Sequence, residues 1–266
     1  MASPNIAAIR LTESGSFDPE GRDTLIVGAG MGTAVRALYS EMARHLTHRF
    51  QIIGIDLPGH GESPAHEGSI TVEEIADAVA ELVSNLHLTG TIKDESKVYF
   101  AGLSISGQVA LQLALEHAEL FDGIAVISSA AQIGSPDDWA ERAKHIQTSG
   151  TESQVEWSAS QWVADSYQDT AKLEVQKRAL AMADDETYAA LCNALGHYDA
   201  TDRLSEITVP VFTVAGAHDQ ICTVRDAEQI AHSVQHGTAA VIEDAAHLLP
   251  LEHPKRLAEL LDSNLT

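Results

Sequence analysis

Three side chains that together can make a serine nucleophilic occur in the order serine, carboxylate, histidine along this chain. Ser104 lies between Gly102 and Ser106, and Asp219 and His247 follow much later. A serine hydroxyl attacks a carbonyl carbon when a base takes its proton, and an imidazole base needs a carboxylate to orient it. We therefore predict acyl transfer through Ser104, with His247 as the base and Asp219 as the orienting acid.

Each of these residues comes shortly after an apolar run of strand length. The strand-like runs are 24–27, 51–55, 98–101, 123–128, 211–214 and 239–242. Helical periodicity lies between them, most clearly at 72–86 and 108–117, which predicts an α/β domain with a mainly parallel sheet flanked by helices. The carboxyl ends of parallel strands meet at one edge of a sheet. Ser104, Asp219 and His247 are therefore expected to converge there.

Two backbone N–H groups are predicted to bind an oxyanion beside Ser104. Ile105 would open the following helix, where N–H groups lack partners within the helix and the helix dipole favours negative charge. Met31 is the second expected donor, in the loop 28–33 after the first predicted strand. The three glycines of that loop fit neither the dinucleotide fingerprint nor the P-loop, so no nucleotide cofactor is expected.

A change of pattern between residues 135 and 198 predicts a separate helical segment. Strand-like runs stop there, and aromatic residues recur at helical spacing. We interpret 135–198 as an inserted helical cap, and 1–134 with 199–266 as the α/β core. The tryptophans of the chain all lie in this cap, where they either fill its core or line a pocket: Trp139, Trp157 and Trp162.

Other histidines are poorer candidates for the base. His218 stands beside Asp219, but neighbouring residues after a strand point to opposite sides, and the base should follow the acid on the next strand. His232 and His236 have the i,i+4 spacing of a metal pair but lack a Glu-x-x-His context. A solvent-facing helix pair is therefore favoured, and no metal is expected.

The composition narrows the class of partner. The chain has 39 acidic and 16 basic residues, a formal charge of −23 that disfavours nucleic acid and anionic membranes. Cys192 and Cys222 form no C-x-x-C motif, and neither a leader-like amino terminus nor a membrane-spanning apolar run is present. We expect a cytoplasmic protein that acts on a small molecule.

The motifs resemble the α/β-hydrolase superfamily over almost the whole chain. The segment 56–63, Asp-Leu-Pro-Gly-His-Gly-Glu-Ser, is similar to the family's D-x-x-G-H-G-x-S turn. The segment 244–254 is similar to its terminal histidine signature. His60 and Ser63 are interpreted as turn structure rather than as catalytic residues.

Within that superfamily the chain most resembles the 3-oxoadipate enol-lactonases. The similar segments are 31–33 in the oxyanion loop, 128–139 at the entry to the cap and 216–219 at the acid turn. The resemblance implies hydrolysis of a small anionic enol-lactone without a cofactor, in bacterial breakdown of aromatic acids.

Three positions depart from that pattern. Gln161 precedes Trp162 where those lactonases tend to carry a basic residue, Ser106 replaces a glycine, and Ala29 replaces a polar residue or histidine. If a substrate carboxylate is bound, another cation must compensate for Gln161, and Arg142 or Arg178 is expected to do so. The candidate substrate-binding residues are Trp139, Arg142, Trp157, Gln161, Trp162 and Arg178.

Several other functions remain compatible with these residues. A general small-ester hydrolase, a C–C bond hydrolase and a cofactor-free perhydrolase can all use such a triad. A haloalkane dehalogenase of this fold would be expected to have a carboxylate in place of Ser104. A ligand-binding receptor with this fold is the non-enzymatic alternative, and the complete triad counts against it.

Overall fold

Seven strands form one sheet in the computed structural model, which describes residues 4–12 and 22–266. Their order across the sheet is β1-β3-β2-β4-β5-β6-β7, and every neighbouring pair is parallel except β1 with β3. The strands are β1 Ala8–Arg10, β2 Asp23–Gly28, β3 Phe50–Ile55, β4 Val98–Leu103, β5 Gly123–Ile127, β6 Val211–Gly216 and β7 Gly237–Ile242. The predicted fold class is confirmed.

Helices cover both faces of this sheet. They are α1 Val35–Leu46, α2 Val72–Leu88, α3 Ile105–Glu116, α4 Pro136–Ser149, α5 Val155–Trp162, α6 Thr170–Ala181, α7 Asp185–His197, α8 Val224–Ser233, α9 Leu249–Glu252 and α10 Pro254–Asn264. Alternation along the strands separates two apolar cores, with Ile26 in the one beneath α2 and α3, and Leu25 and Val27 in the one beneath α1 and α10.

Most elements agree with the sequence pattern. All six predicted strands are present, and α2 begins after Thr71, whose capping box with Glu74 satisfies two N–H groups. The helical pattern at 108–117 is part of α3, which begins at Ile105, the residue expected to open it. The pattern did not reveal β1, because three residues paired along one side of β3 are too few to show a period.

The helical cap lies between β5 and β6. Helices α4 to α7 form it, and the described residues from 135 to 198 contain no strand. Ser135 caps α4 by accepting from the N–H of Asp138, and Pro136 occupies the first turn. The inserted helical cap is thus present, while the exact domain boundaries stay a prediction.

Candidate active site

Ser104 occupies a sharp turn between β4 and α3. Its φ of 58° and ψ of −121° are rare for a residue with a side chain. The Ser104 N–H donates to the carbonyl of Ile127 at 3.0 Å, and Ser129 Oγ donates to the Ser104 carbonyl at 2.7 Å. The last residue of β5 and Ser129, two residues beyond it, therefore hold this strained backbone in place on both sides.

Small residues make the turn possible. A Cβ added to Gly102 would lie 1.8 Å from the carbonyl oxygen of Ser106, and one added to Gly28 would lie 2.7 Å from Ser106 Cβ. Ser106, one of the departures from the lactonase pattern, donates from Oγ to the Ala29 carbonyl at 2.6 Å. This buried hydrogen bond joins the nucleophile turn to the loop that carries Met31.

Ile105 and Gly30, the residue before Met31, both lie beside Ser104. Ile105 is the first residue of α3, where the N–H has no partner within the helix. Across from it, a Cβ added to Gly30 would lie 3.5 Å from Ser104 Cβ, so the loop before Met31 runs directly beside Ser104. Thr33 tightens this loop by donating from N and Oγ1 to the Gly30 carbonyl, at 3.2 and 2.8 Å.

Asp219 and His247 are brought together at the carboxyl edge of the sheet. His247 Nδ1 lies 2.8 Å from Asp219 Oδ2, and both residues are only 4% exposed. The other oxygen, Asp219 Oδ1, accepts from the N–H groups of Ile221 and Cys222 at 2.8 and 3.0 Å. An ionised carboxylate only accepts hydrogen bonds, so this contact favours the neutral imidazole tautomer with its proton on Nδ1, in which Nε2 can act as an acceptor.

The turn around His60 is structural. Asp56 accepts from the N–H groups of Val35 and Glu62, at 2.7 and 2.9 Å, while its carbonyl accepts from Ser63 Oγ. His60 is 1% exposed, with Nδ1 2.9 Å from the Pro58 carbonyl and Nε2 without a partner within the described residues. Burial lowers the pKa of His60 to about 4, so the ring is neutral.

Arg142 is the candidate cation of the cap. Its Nη2 donates to Ser158 Oγ at 3.0 Å and to Tyr188 OH at 2.9 Å. Its guanidinium carbon lies 4.8 Å from the Trp157 ring centroid and 5.5 Å from that of Trp139. Among the residues that the structure describes, no carboxylate forms an ion pair with Arg142, and its Nε is buried without a partner. The guanidinium contacts aromatic rings and hydroxyl groups, which do not neutralise its charge, so this charge is available to an anion.

A cleft of about 830 Å³ opens beside this guanidinium. Its lining includes Arg142, Trp139, Trp157 and Gln161 together with Ile221, whose N–H donates to Asp219. The cleft therefore extends from the cap to the acid turn, although Ser104 and His247 do not themselves line it.

The remaining cap candidates lie elsewhere. Trp162 is 5% exposed, and its Cζ2 would lie 3.2 Å from a Cβ added to Gly32, so it packs on the oxyanion loop. Arg178 is exposed on α6 and does not line the cleft. Of the two arginines proposed from the sequence, Arg142 is thus the one that lines the cleft, together with Trp139 and Trp157.

Several contacts were not anticipated from the sequence. Ser158 and Tyr188 hold Arg142, and Ser129 holds the Ser104 backbone, yet each looks like an ordinary helix or strand-end residue in the sequence. Their roles depend on contacts between elements that are distant along the chain. Glu252 is the exception, because it lies in the segment 244–254 that resembles the family's terminal histidine signature. That signature does not indicate what Glu252 does.

Other reactive groups are placed unfavourably for chemistry. Cys192 and Cys222 are buried and free, and burial raises the pKa of Cys192 to about 12 and that of Cys222 well above its ordinary value. A neutral buried thiol is a poor nucleophile. Across residues 4–12 and 22–266, no group of three or more His, Cys, Asp or Glu side chains could hold a metal. In the same ranges no helix is long and apolar enough to cross a membrane.

The fold and the site define an α/β-hydrolase. A model described as "Alpha/beta hydrolase family" matches residues 25–260, so the chain belongs to this family. The resemblance predicted from the motifs is confirmed at this level.

The chain is similar to enol-lactonases and to another hydrolase. The chain is 27% identical over 244 residues to 3-oxoadipate enol-lactonase 1 of Acinetobacter baylyi, covering 91% of this chain and 88% of the relative. It is 22% identical to an (E)-2-((N-methylformamido)methylene)succinate hydrolase of the same organism, covering 93% and 92%. The crystal structure of an enol-lactonase from Burkholderia xenovorans LB400 superposes with a TM-score of 0.89 at 23% identity, covering 99% of this chain and 98% of that one.

Proposed function

We propose that the protein is a serine hydrolase of a small carboxylate-bearing ester or lactone, and most specifically a hydrolase of the 3-oxoadipate enol-lactone type. The observation that carries the reaction is the strained Ser104 at the start of α3, combined with the 2.8 Å contact of His247 with Asp219. Hydrolase relatives support the class of reaction.

In the proposed reaction, His247 Nε2 takes the Ser104 proton as Oγ attacks the carbonyl carbon. The N–H groups of Ile105 and Met31 stabilise the tetrahedral oxyanion. The carbon–oxygen bond then breaks, and His247 gives its proton to the departing oxygen. Water, deprotonated by His247, attacks the acyl-enzyme and releases the acid, which restores Ser104 without any cofactor.

The substrate class follows from Arg142. Arg142 forms no ion pair with a carboxylate in the described chain, and its Nε is buried without a hydrogen-bond partner, whereas Arg178, which also lacks an ion pair, is exposed. A substrate carboxylate would supply the missing anion, while Trp139 and Trp157 offer flat apolar surface to its carbon skeleton. The two relatives from Acinetobacter baylyi are named for an oxoadipate and a succinate, which are both carboxylates. A cytoplasmic role in bacterial breakdown of aromatic acids is the corresponding physiological proposal.

Two comparisons test this proposal. Ser104→Ala should leave the protein folded and lower turnover of the enol-lactone by roughly 10³-fold or more. Unchanged hydrolysis, or binding of the lactone without any turnover by the wild type, would overturn the reaction and favour a receptor. The wild type should also hydrolyse 3-oxoadipate enol-lactone faster than the same lactone with its carboxylate converted to an amide. Equal kcat/KM for both would leave a general small-ester hydrolase.

A further inference from the structure

The backbone around His247 makes an unusual set of contacts. Its N–H donates to the Trp162 carbonyl at 3.1 Å, and the N–H of Leu248 donates to the same carbonyl at 2.8 Å. The preceding N–H, that of Ala246, donates to Glu252 Oε1 at 2.9 Å. Three consecutive N–H groups of the loop that carries the base are therefore satisfied by Trp162 and Glu252.

Glu252 also reaches the cap. Its second oxygen, Oε2, accepts from the N–H of Ala164 at 2.7 Å, two residues beyond the end of α5. Both of its partners are donors, so the bridge needs an acceptor at each oxygen. An ionised carboxylate provides this, whereas an amide or a protonated acid would present a hydrogen to one of the two N–H groups.

Burial disfavours the ionised form of the Glu252 carboxylate. Burial raises the pKa of Glu252, while the N–H groups of Ala164 and Ala246 and the nearby His253 act to lower it. Asp219 and Tyr167 are the other titratable groups that face it. No lysine or arginine in the described ranges pairs with Glu252. A half-buried carboxylate with no lysine or arginine partner costs free energy that an apolar residue would avoid, so packing alone does not explain it.

Helix α5 links this bridge to the substrate cleft. Trp157 and Gln161 lie on α5 and line the cleft, while the residues at and after its end hold the backbone of the base. We propose that Glu252 is a positioning residue that fixes the end of α5 to the loop of His247, so that the cap holds the base in register with Ser104 and Asp219. This inference rests on the proposed hydrolase function.

Glu252→Gln tests the bridge, because it keeps the size of the side chain but removes one acceptor. We expect kcat to fall by roughly 10²-fold, more than KM rises, since a small displacement of a catalytic group costs about this much. The far-downfield proton resonance of the His247–Asp219 hydrogen bond should shift or disappear. Glu259→Gln is the matched control, since Glu259 is exposed on α10 and pairs with Arg256.

Glu252→Asp keeps both oxygens but cannot span both donors, so its kcat should also fall if Glu252→Gln does not fold. A purely structural role would lower the melting temperature and leave kcat per folded molecule and the resonance unchanged, which would overturn the proposal. Ser104→Ala is assayed alongside. Activity retained by Ser104→Ala would refute the hydrolase mechanism itself, whereas an inactive Ser104→Ala beside fully active Glu252 variants would refute the positioning role alone.

Discussion

Replacing Arg142 by methionine isolates the charge in the cap cleft. Methionine keeps an unbranched apolar stem that can pack between Trp139 and Trp157, but it removes the guanidinium and its two hydrogen bonds to Ser158 and Tyr188. The variant therefore removes the proposed carboxylate partner while it largely keeps the shape of the cleft.

The size of the effect follows from the contacts of the guanidinium. Nη2 is already shared between Ser158 and Tyr188, so a substrate carboxylate would use the remaining donors of Arg142. Hydrogen bonds to a charged group contribute about 1.5–3 kcal/mol, which corresponds to roughly 10- to 150-fold in kcat/KM. The loss should appear mainly as a higher KM, because the carboxylate is bound before and during the reaction alike.

The assay compares 3-oxoadipate enol-lactone with its neutral amide analogue. Arg142→Met should slow hydrolysis of the anionic lactone by this factor and change that of the neutral one by less than about threefold, since the neutral substrate never forms the charged pair. Arg178→Met removes the same charge from an exposed position on α6 and serves as the control. Equal losses on both substrates, or an equal effect of Arg178→Met, would refute the reasoning.

Two further predictions concern the nucleophile turn and the His60 turn. Ser106→Ala should lower the free energy of unfolding by about 1 kcal/mol and reduce kcat, because it removes the 2.6 Å hydrogen bond to the Ala29 carbonyl in the loop of Met31. Denaturation and kinetics are compared with those of Ser263→Ala. Ser263 is exposed, and its hydrogen bond lies far from the site. Since the pKa of His60 is lowered from 6.5 to about 4, its contribution to stability is complete above pH 6.5 and is lost as the pH falls towards 4. Denaturation at pH 7 and 5 should show about 2 kcal/mol of this loss, and His60→Asn should abolish it. An unchanged pH dependence in His60→Asn would contradict this.

The parallel sheet could be predicted because its strands are buried on both faces and read as continuous apolar runs. The run at 211–214 corresponds to β6, in which all six residues are buried. Strands at the edges of the sheet show this continuous apolar pattern less clearly. The last strand, β7, has exposed residues at Thr238 and Ala239, and β1 is too short to show alternation. The sequence therefore revealed the centre of the sheet, where Ser104 lies, better than its margins.

The site was predictable as far as local backbone chemistry extends. Gly102, Ser104 and Ser106 are spaced as the turn requires, since a Cβ at Gly102 would meet the backbone of Ser106. The partners of Arg142 were not predictable, because Ser158 and Tyr188 lie on two other helices whose packing no local pattern encodes. Choosing between Arg142 and Arg178 required the same information, namely which face of each cap helix is turned to the cleft.

The cap contributes to both proposed parts of the function, and this limits how its sequence can vary. Helix α5 presents Trp157 and Gln161 to the cleft, and the Trp162 carbonyl at its end holds the N–H of His247. A substitution that only reshapes the cleft should alter KM, because it leaves this carbonyl in place. A change that shifts the end of α5 also moves the base relative to Asp219, and should lower kcat even for a substrate that never touches the substituted residue. Under these proposals, specificity can change through side chains on α5, whereas the length and the carboxyl end of α5 affect the position of His247.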